Sequence, residues 1–143
     1  MALARAIRSL EPAGGNICVV HVMDQLAVSQ MHTLLPELTE AELRERFQQQ
    51  ARAHYAELVA GLDCQKVTLA PCIIEGKPSL KIVQLARDLD VDMIVMTVHR
   101  GATYVEQFLF GSTAERVLRL APCPVLIVPE TVASPAADTT PET

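Results

Sequence analysis

Apolar residues are arranged along this chain in two ways: at helical spacing, and in short unbroken runs. Leu3, Ile7 and Leu10 recur at helical intervals and predict a helix over 2–10. Pro12 and Gly14-Gly15 end it. Residues 16–24, Asn-Ile-Cys-Val-Val-His-Val-Met-Asp, are nearly all apolar and lack strict alternation. Such a run predicts a strand covered on both faces in a parallel sheet. Residues 25–38 show no clear period and read as irregular.

Thr39 with Glu42 forms a capping box, so a helix begins there. It carries Leu43, Phe47, Ala51, Tyr55, Leu58 and Leu62 on one stripe and ends at Gly61. Lys66 to Ile74 is the next strand, and Glu75-Gly76-Lys77-Pro78 a turn into a helix with Pro78 near its first position. Leu80, Ile82, Val83, Leu85, Ala86 and Leu89 form that helix's apolar face. A strand over 92–97, a helix from Ser112 to Leu120 and a strand from Val125 to Val128 complete the pattern. Helices and strands alternate, which predicts a doubly wound α/β parallel sheet with right-handed crossovers. Residues 1–130 are expected to form one domain. Residues 131–143, rich in Pro, Ala, Asp and Thr, are expected to be a disordered tail.

Composition narrows the function. Hydrophobic residues make up 50% of the 143, charged residues 20%, and aromatics only 3%, so the core must be aliphatic. A net charge of −5 argues against a nucleic-acid surface, which needs clustered Lys and Arg. It says little against a nucleotide, which needs only local donors. No apolar run approaches the roughly 20 residues of a membrane span, and no leader pattern opens the chain, so a cytoplasmic protein is expected. Cys18, Cys64, Cys72 and Cys123 include no C-x-x-C pair, and Cys18, Cys72 and Cys123 read as small buried hydrophobes.

The sharpest local signal is Val98-His99-Arg100-Gly101, nine residues, then Gly111-Ser112-Thr113. A glycine turn after a strand, with Gly-Ser at a helix start, aims backbone N–H groups at phosphate oxygens. The structural alternative for Gly111-Ser112 is a loop glycine and a helix cap; Ser112 with Glu115 reads as a second capping box. His21 reads as a core or strand-end histidine.

These residues resemble the nucleotide-binding signature of the universal stress protein family: Gly, two residues, Gly, nine residues, Gly, then Ser or Thr. Gly101, the spacer 102–110, Gly111 and Ser112 match, and Val98 stands in place of the first glycine. The run from Gly111 to Val128 is similar to the family's last helix and last strand. The resemblance implies a Rossmann-like fold of the adenine nucleotide alpha hydrolase type, with strand order 3-2-(1)-4-5. The family's first strand, which ends in an Asp expected to bond the ribose, has no counterpart in this sequence. Without it, its two neighbours lose a partner, at roughly 1–3 kcal/mol per buried group left unpaired. Three resolutions stay open: a longer natural protein that supplies the strand, direct pairing of the neighbours, or another chain filling the place. Four strands are expected here, closed up or gapped.

The resemblance also implies a ligand, ATP, with or without Mg²⁺. Val22 matches a position that contacts adenine through its backbone. Thr97, Val98, Arg100 and Gly101 would lie at a strand end, and Gly111, Ser112 and Thr113 at the phosphates. Arg100 suits either a phosphate or solvent. No catalytic triad, metal-spaced cluster or Walker lysine accompanies these residues, so no enzyme is expected, and Glu106 is the only acid in the spacer. Two readings stay open: an adenine-nucleotide sensor acting by conformation or dimerisation, and a dimeric interaction module that binds no nucleotide. A homodimer through Val125, Leu126, Ile127 and Val128 is expected from the edge position of the last strand.

Overall fold

Helix and strand alternate from the start of the chain. In the computed structural model, which describes residues 2–100 and 111–131, the order is α1 (Ala2–Leu10), β1 (Gly15–Asp24), α2 (Gln25–Leu34), α3 (Glu40–Val59), β2 (Val67–Gly76), α4 (Pro78–Asp88), β3 (Ile94–Arg100), α5 (Ser112–Leu120) and β4 (Val125–Thr131).

Local chemistry sets several of these boundaries. At the start of α3 the Thr39 hydroxyl accepts from the Glu42 N–H at 3.2 Å, and the Glu42 carboxylate accepts from the Thr39 N–H at 2.8 Å. Both halves of the capping box are therefore made. Pro78 opens α4, where its missing N–H costs nothing. Gly61, just past α3, has φ +76°, a conformation that favours glycine.

The strands pair in parallel and in two ladders. β1 lies beside β2 from Gly15 opposite Val67 to Asp24 opposite Gly76. β3 lies beside β4 from Ile94 opposite Val125 to Arg100 opposite Thr131. Among the described residues β1 and β3 share no ladder, so the sheet is gapped and not closed up. Helices hold the halves together. α4 packs on β1 and β2 and also against α5, while α1 packs on β3.

Two apolar clusters result. Val83 and Ala86 of α4, Ile94 of β3 and Val117 of α5 form one. Met23 of β1, Val28 of α2 and Leu43 of α3 form the other. Val28 and Val117 are fully buried, each worth about 1.5–3 kcal/mol by area removed from water.

Several expectations need correction. Residues 25–34 are helical, because Asp24 caps α2 with a 2.9 Å bond from the Leu26 N–H and Val28 plugs the core. Glu75 and Gly76 belong to β2, not to a turn. β3 begins at Ile94, and it continues through Arg100 because β4 runs on to Thr131 and supplies partners. β1 is not covered on both faces: Val20 is 36% exposed and His21 is exposed too, so the histidine is no core residue. Leu80 of α4 and Leu89, its C-cap, are exposed, and only Val83 and Ala86 of the stripe are buried. The cysteines are half-buried, not buried. Burial and the neighbouring Cys72 thiol push the Cys18 thiol above its ordinary range, so it resists ionisation. Of the expected tail, 131–143, Thr131 instead closes β4, and residues from 132 onward lie outside the described residues.

Candidate functional site

In open α/β sheets, ligands bind beyond the carboxyl ends of the strands. β1 and β2 end together at the pair Asp24 and Gly76. A cavity of about 540 Å³ opens there, within the size range of small-molecule sites. Its walls include Asp24 at the β1–α2 corner and Lys77 and Ser79 at the β2–α4 corner. Ser112, Thr113 and Arg116 of α5 close another side.

Two of the three helix starts around this cavity, those of α4 and α5, differ from the start of α3 in one respect. α3 is closed by its own capping box, and α2 by the Asp24 carboxylate. α4 and α5 have no side-chain cap at all. Lys77 is the N-cap of α4 and offers no acceptor, and Gly111 is the N-cap of α5 and has no side chain. First-turn N–H groups have no partner within their helix, so those of α4 and α5 are left to solvent or to a ligand. Both helix starts carry a partial positive charge toward the same space.

Side-chain charge adds to that field. Lys77 and Arg116 line the cavity, against the single carboxylate of Asp24. Asp24 already accepts from the Leu26 N–H. Among the described residues neither Lys77 nor Arg116 has an ion-pair partner. Arg116 follows Ser112 by four positions, so the two share a face of α5. Ser79 is 2% exposed, the one buried polar residue of the described core. The arrangement suits an anion with several oxygens.

The structure groups some of the sequence candidates and separates others. Ser112 and Thr113 line the cavity and Gly111 caps their helix. Ser112 is the first residue of α5, not its cap, so the expected Ser112–Glu115 capping box is absent. Glu115 instead pairs with Arg119 at 2.8 Å. The Ser112 hydroxyl is thus not spent on its own helix.

Val22 is half-buried in β1, opposite Ile74 and two residues before Asp24. Thr97 and Val98 are paired within β3, opposite Val128 and Pro129, so Val98 sits in a strand and not in a loop. A β-branched residue suits that place. Arg100 closes β3. Its side chain, Gly101 and Glu106 lie outside the described residues.

Lys77, Ser79, Arg116 and Asp24 were not among the sequence candidates. Their signal was weak but present: Lys77 directly precedes a helix-opening proline, and Arg116 stacks one turn above Ser112. Among the described residues no group of three or more His, Cys, Asp or Glu could hold a metal ion. No described helix is long and apolar enough to cross a membrane.

Comparison with known proteins agrees with this architecture. The sequence model of the universal stress protein family matches residues 1–129. A universal stress protein of Methanothermobacter thermautotrophicus is 30% identical over 103 residues, covering 67% of this chain and 69% of the relative. Universal stress protein MJ0531 of Methanocaldococcus jannaschii is 46% identical over 56 residues; that match spans 39% of this chain and 32% of the relative. The solved structure of the hypothetical protein MJ0577 superposes with a TM-score of 0.70 at 24% identity, over 92% of this chain and 90% of the other. UspA from Lactobacillus plantarum gives a TM-score of 0.57 at 22% identity, over 89% and 86%. The structural likenesses concern the fold, a parallel α/β architecture. With a family match over nearly its whole length, the chain belongs to the universal stress protein family.

Proposed function

We propose that this chain binds an adenine nucleotide, ATP, with or without Mg²⁺, beyond the carboxyl ends of β1 and β2. It acts as a non-enzymatic stress-response protein whose conformation or dimerisation follows the ligand. One observation carries the reading: the uncapped starts of α4 and α5 open onto one cavity with Lys77 and Arg116. Helix starts of this kind bind phosphate through backbone N–H groups.

In this reading Gly111, Ser112 and Thr113 hold phosphate oxygens, Thr97, Val98, Arg100 and Gly101 are further ligand contacts, and the Val22 backbone meets adenine. The cavity's described wall has one carboxylate, already a helix cap, so Mg²⁺ would arrive on the phosphates and not in a protein cage. Titration calorimetry with ATP and Mg²⁺ tests the reading. A submillimolar Kd is expected, and no heat from folded protein overturns it.

A cytoplasmic homodimer belongs to the same proposal, formed by pairing through Val125, Leu126, Ile127 and Val128. Among the described residues β4 pairs with β3 alone, and Leu126 is 39% exposed. Val128 is buried in its own protomer, so its share of the contact would be through backbone. Light scattering at high micromolar concentration should give twice the chain mass; a monomer overturns this part. A second reading, the dimeric module without nucleotide, is favoured by Val98: it is locked in a strand where the family signature has glycine.

A further inference from the structure

We infer that Cys18 of β1 and Cys72 of β2 form a two-thiol site for one soft, two-coordinate cation, Cu(I), on a face of the β1–β2 ladder. The register puts Cys18 opposite Ala70 and Cys72 opposite Val20. Every second residue of a strand points to the same face, so both thiols lie on one face, a single diagonal step apart. They are hydrogen-bonded to each other. Both cysteines are free and half-buried. Their opposite neighbours, Ala70 and Val20, are exposed, so the pair is reached from solvent.

The donor set selects the ion. Structural zinc takes four ligands, and among the described residues no group of three or more His, Cys, Asp or Glu could hold a metal ion. Soft thiolates favour Cu(I), which two of them satisfy. A disulfide fits the register poorly. Strands about 4.8 Å apart, rising about 3.3 Å per residue, put the two Cα atoms about 8 Å apart, beyond the roughly 7 Å that a disulfide spans without backbone movement. A metal ion between the sulfurs lengthens the bridge by a second bond. Each thiol gives up its proton as its sulfur–metal bond forms, so two protons leave for each ion bound. Burial, and after it the neighbouring thiol, keeps Cys18 protonated in the free protein. The cation offsets the repulsion that two bare thiolates would suffer there.

The test is anaerobic titration of the full chain with Cu(I), against a chromophoric Cu(I) chelator as competitor. It uses the Cys64→Ala, Cys123→Ala double variant, alone and with Cys18→Ala or Cys72→Ala added, each checked for folding by circular dichroism. The double variant should bind one Cu(I) per chain. Either added substitution should weaken binding about hundredfold, as loss of one of two linked ligands does. Maleimide labelling of the wild type, read by peptide mass, needs no variant: Cu(I) should protect Cys18 and Cys72 together. Protection of only one of them, or equal affinity with either thiol removed, overturns the inference. So does more than one ion per double-variant chain, or closure of the pair to a disulfide with no metal bound. Each of these outcomes leaves the nucleotide reading untouched, since neither cysteine lines that cavity.

Discussion

Arg44 of α3 holds Glu75 of β2 through one nitrogen, its Nε lying 3.0 and 3.1 Å from the two carboxylate oxygens. Its Nη2 reaches back to Glu40 at 3.0 Å. The pair ties the first turns of α3 to the carboxyl end of β2, beside the residue that ends the strand. Glu75 and Glu40 together hold the guanidinium above its ordinary range. Both side chains of the α3–β2 pair remain about one-third exposed, so the tie is screened. Glu75→Gln should lower Tm by about one to two degrees in dilute buffer. The difference should shrink in about 1 M salt, as differential scanning calorimetry would show. A loss that is unaffected by salt would mean the pair acts by packing and not by charge.

The start of α3 gives a pH dependence with a definite sign. The Thr39 backbone N–H, and after it the Thr39 hydroxyl, hold the Glu42 carboxyl below its ordinary value of 4.5. A depressed carboxyl stabilises the fold above its unfolded value, and that stability is lost as pH falls through the lower folded value. Thr39→Ala should cost about 1 kcal/mol at neutral pH by urea denaturation. The gap between wild type and variant should narrow as pH drops below about 4. A gap that stays constant down to low pH would remove Glu42 from the account.

Two glycines near the cavity should respond in opposite ways to the same change. Gly111 has φ −58°, and a Cβ placed there meets nothing within 4 Å. Gly111→Ala should therefore leave stability within about 0.5 kcal/mol of wild type. Any loss of ATP affinity in that variant reports ligand approach and not folding. Gly76 has φ +147°, and its Cβ would lie 2.6 Å from the Lys81 side chain. The side chain can move, whereas the backbone angle cannot be relieved so easily. Gly76→Ala should destabilise by about 1–3 kcal/mol in urea. Equal behaviour of the two variants would contradict the backbone argument.

Val117 links α5 to the rest of the core. It is fully buried against Val83, Ala86 and Ile94. Val117→Ala should cost about 2 kcal/mol by urea denaturation, for lost burial and the void left behind. Because α5 also presents Ser112, Thr113 and Arg116, the variant should weaken ATP binding while the fold persists. Unchanged affinity with lowered stability would uncouple the helix core from its N-terminus.

Legibility in the sequence followed the range of the interaction. The start of α3 was readable because Thr39 and Glu42 are three residues apart and close the capping box between themselves. α2 was not readable, because its cap, Asp24, is also the last residue of a strand and its one fully buried residue is Val28. The end of β3 was misjudged because its partners, up to Thr131, are set by a strand more than twenty residues away. The same holds for the cavity. Ser112 and Thr113 were visible as a motif, whereas Lys77 and Arg116, far apart in sequence, come to line one cavity through the packing of α4 on α5.

Asp24 and Lys77 belong to the half of the molecule built on β1 and β2. Ser112, Thr113 and Arg116 follow β3, in the other half. No interstrand ladder joins the halves among the described residues, so their alignment rests on side chains of α1 and α4. A ligand gripping both walls is then a crosslink as well as a guest. Occupancy and stiffness become one quantity, and the work of aligning two rafts is subtracted from every affinity the cavity displays.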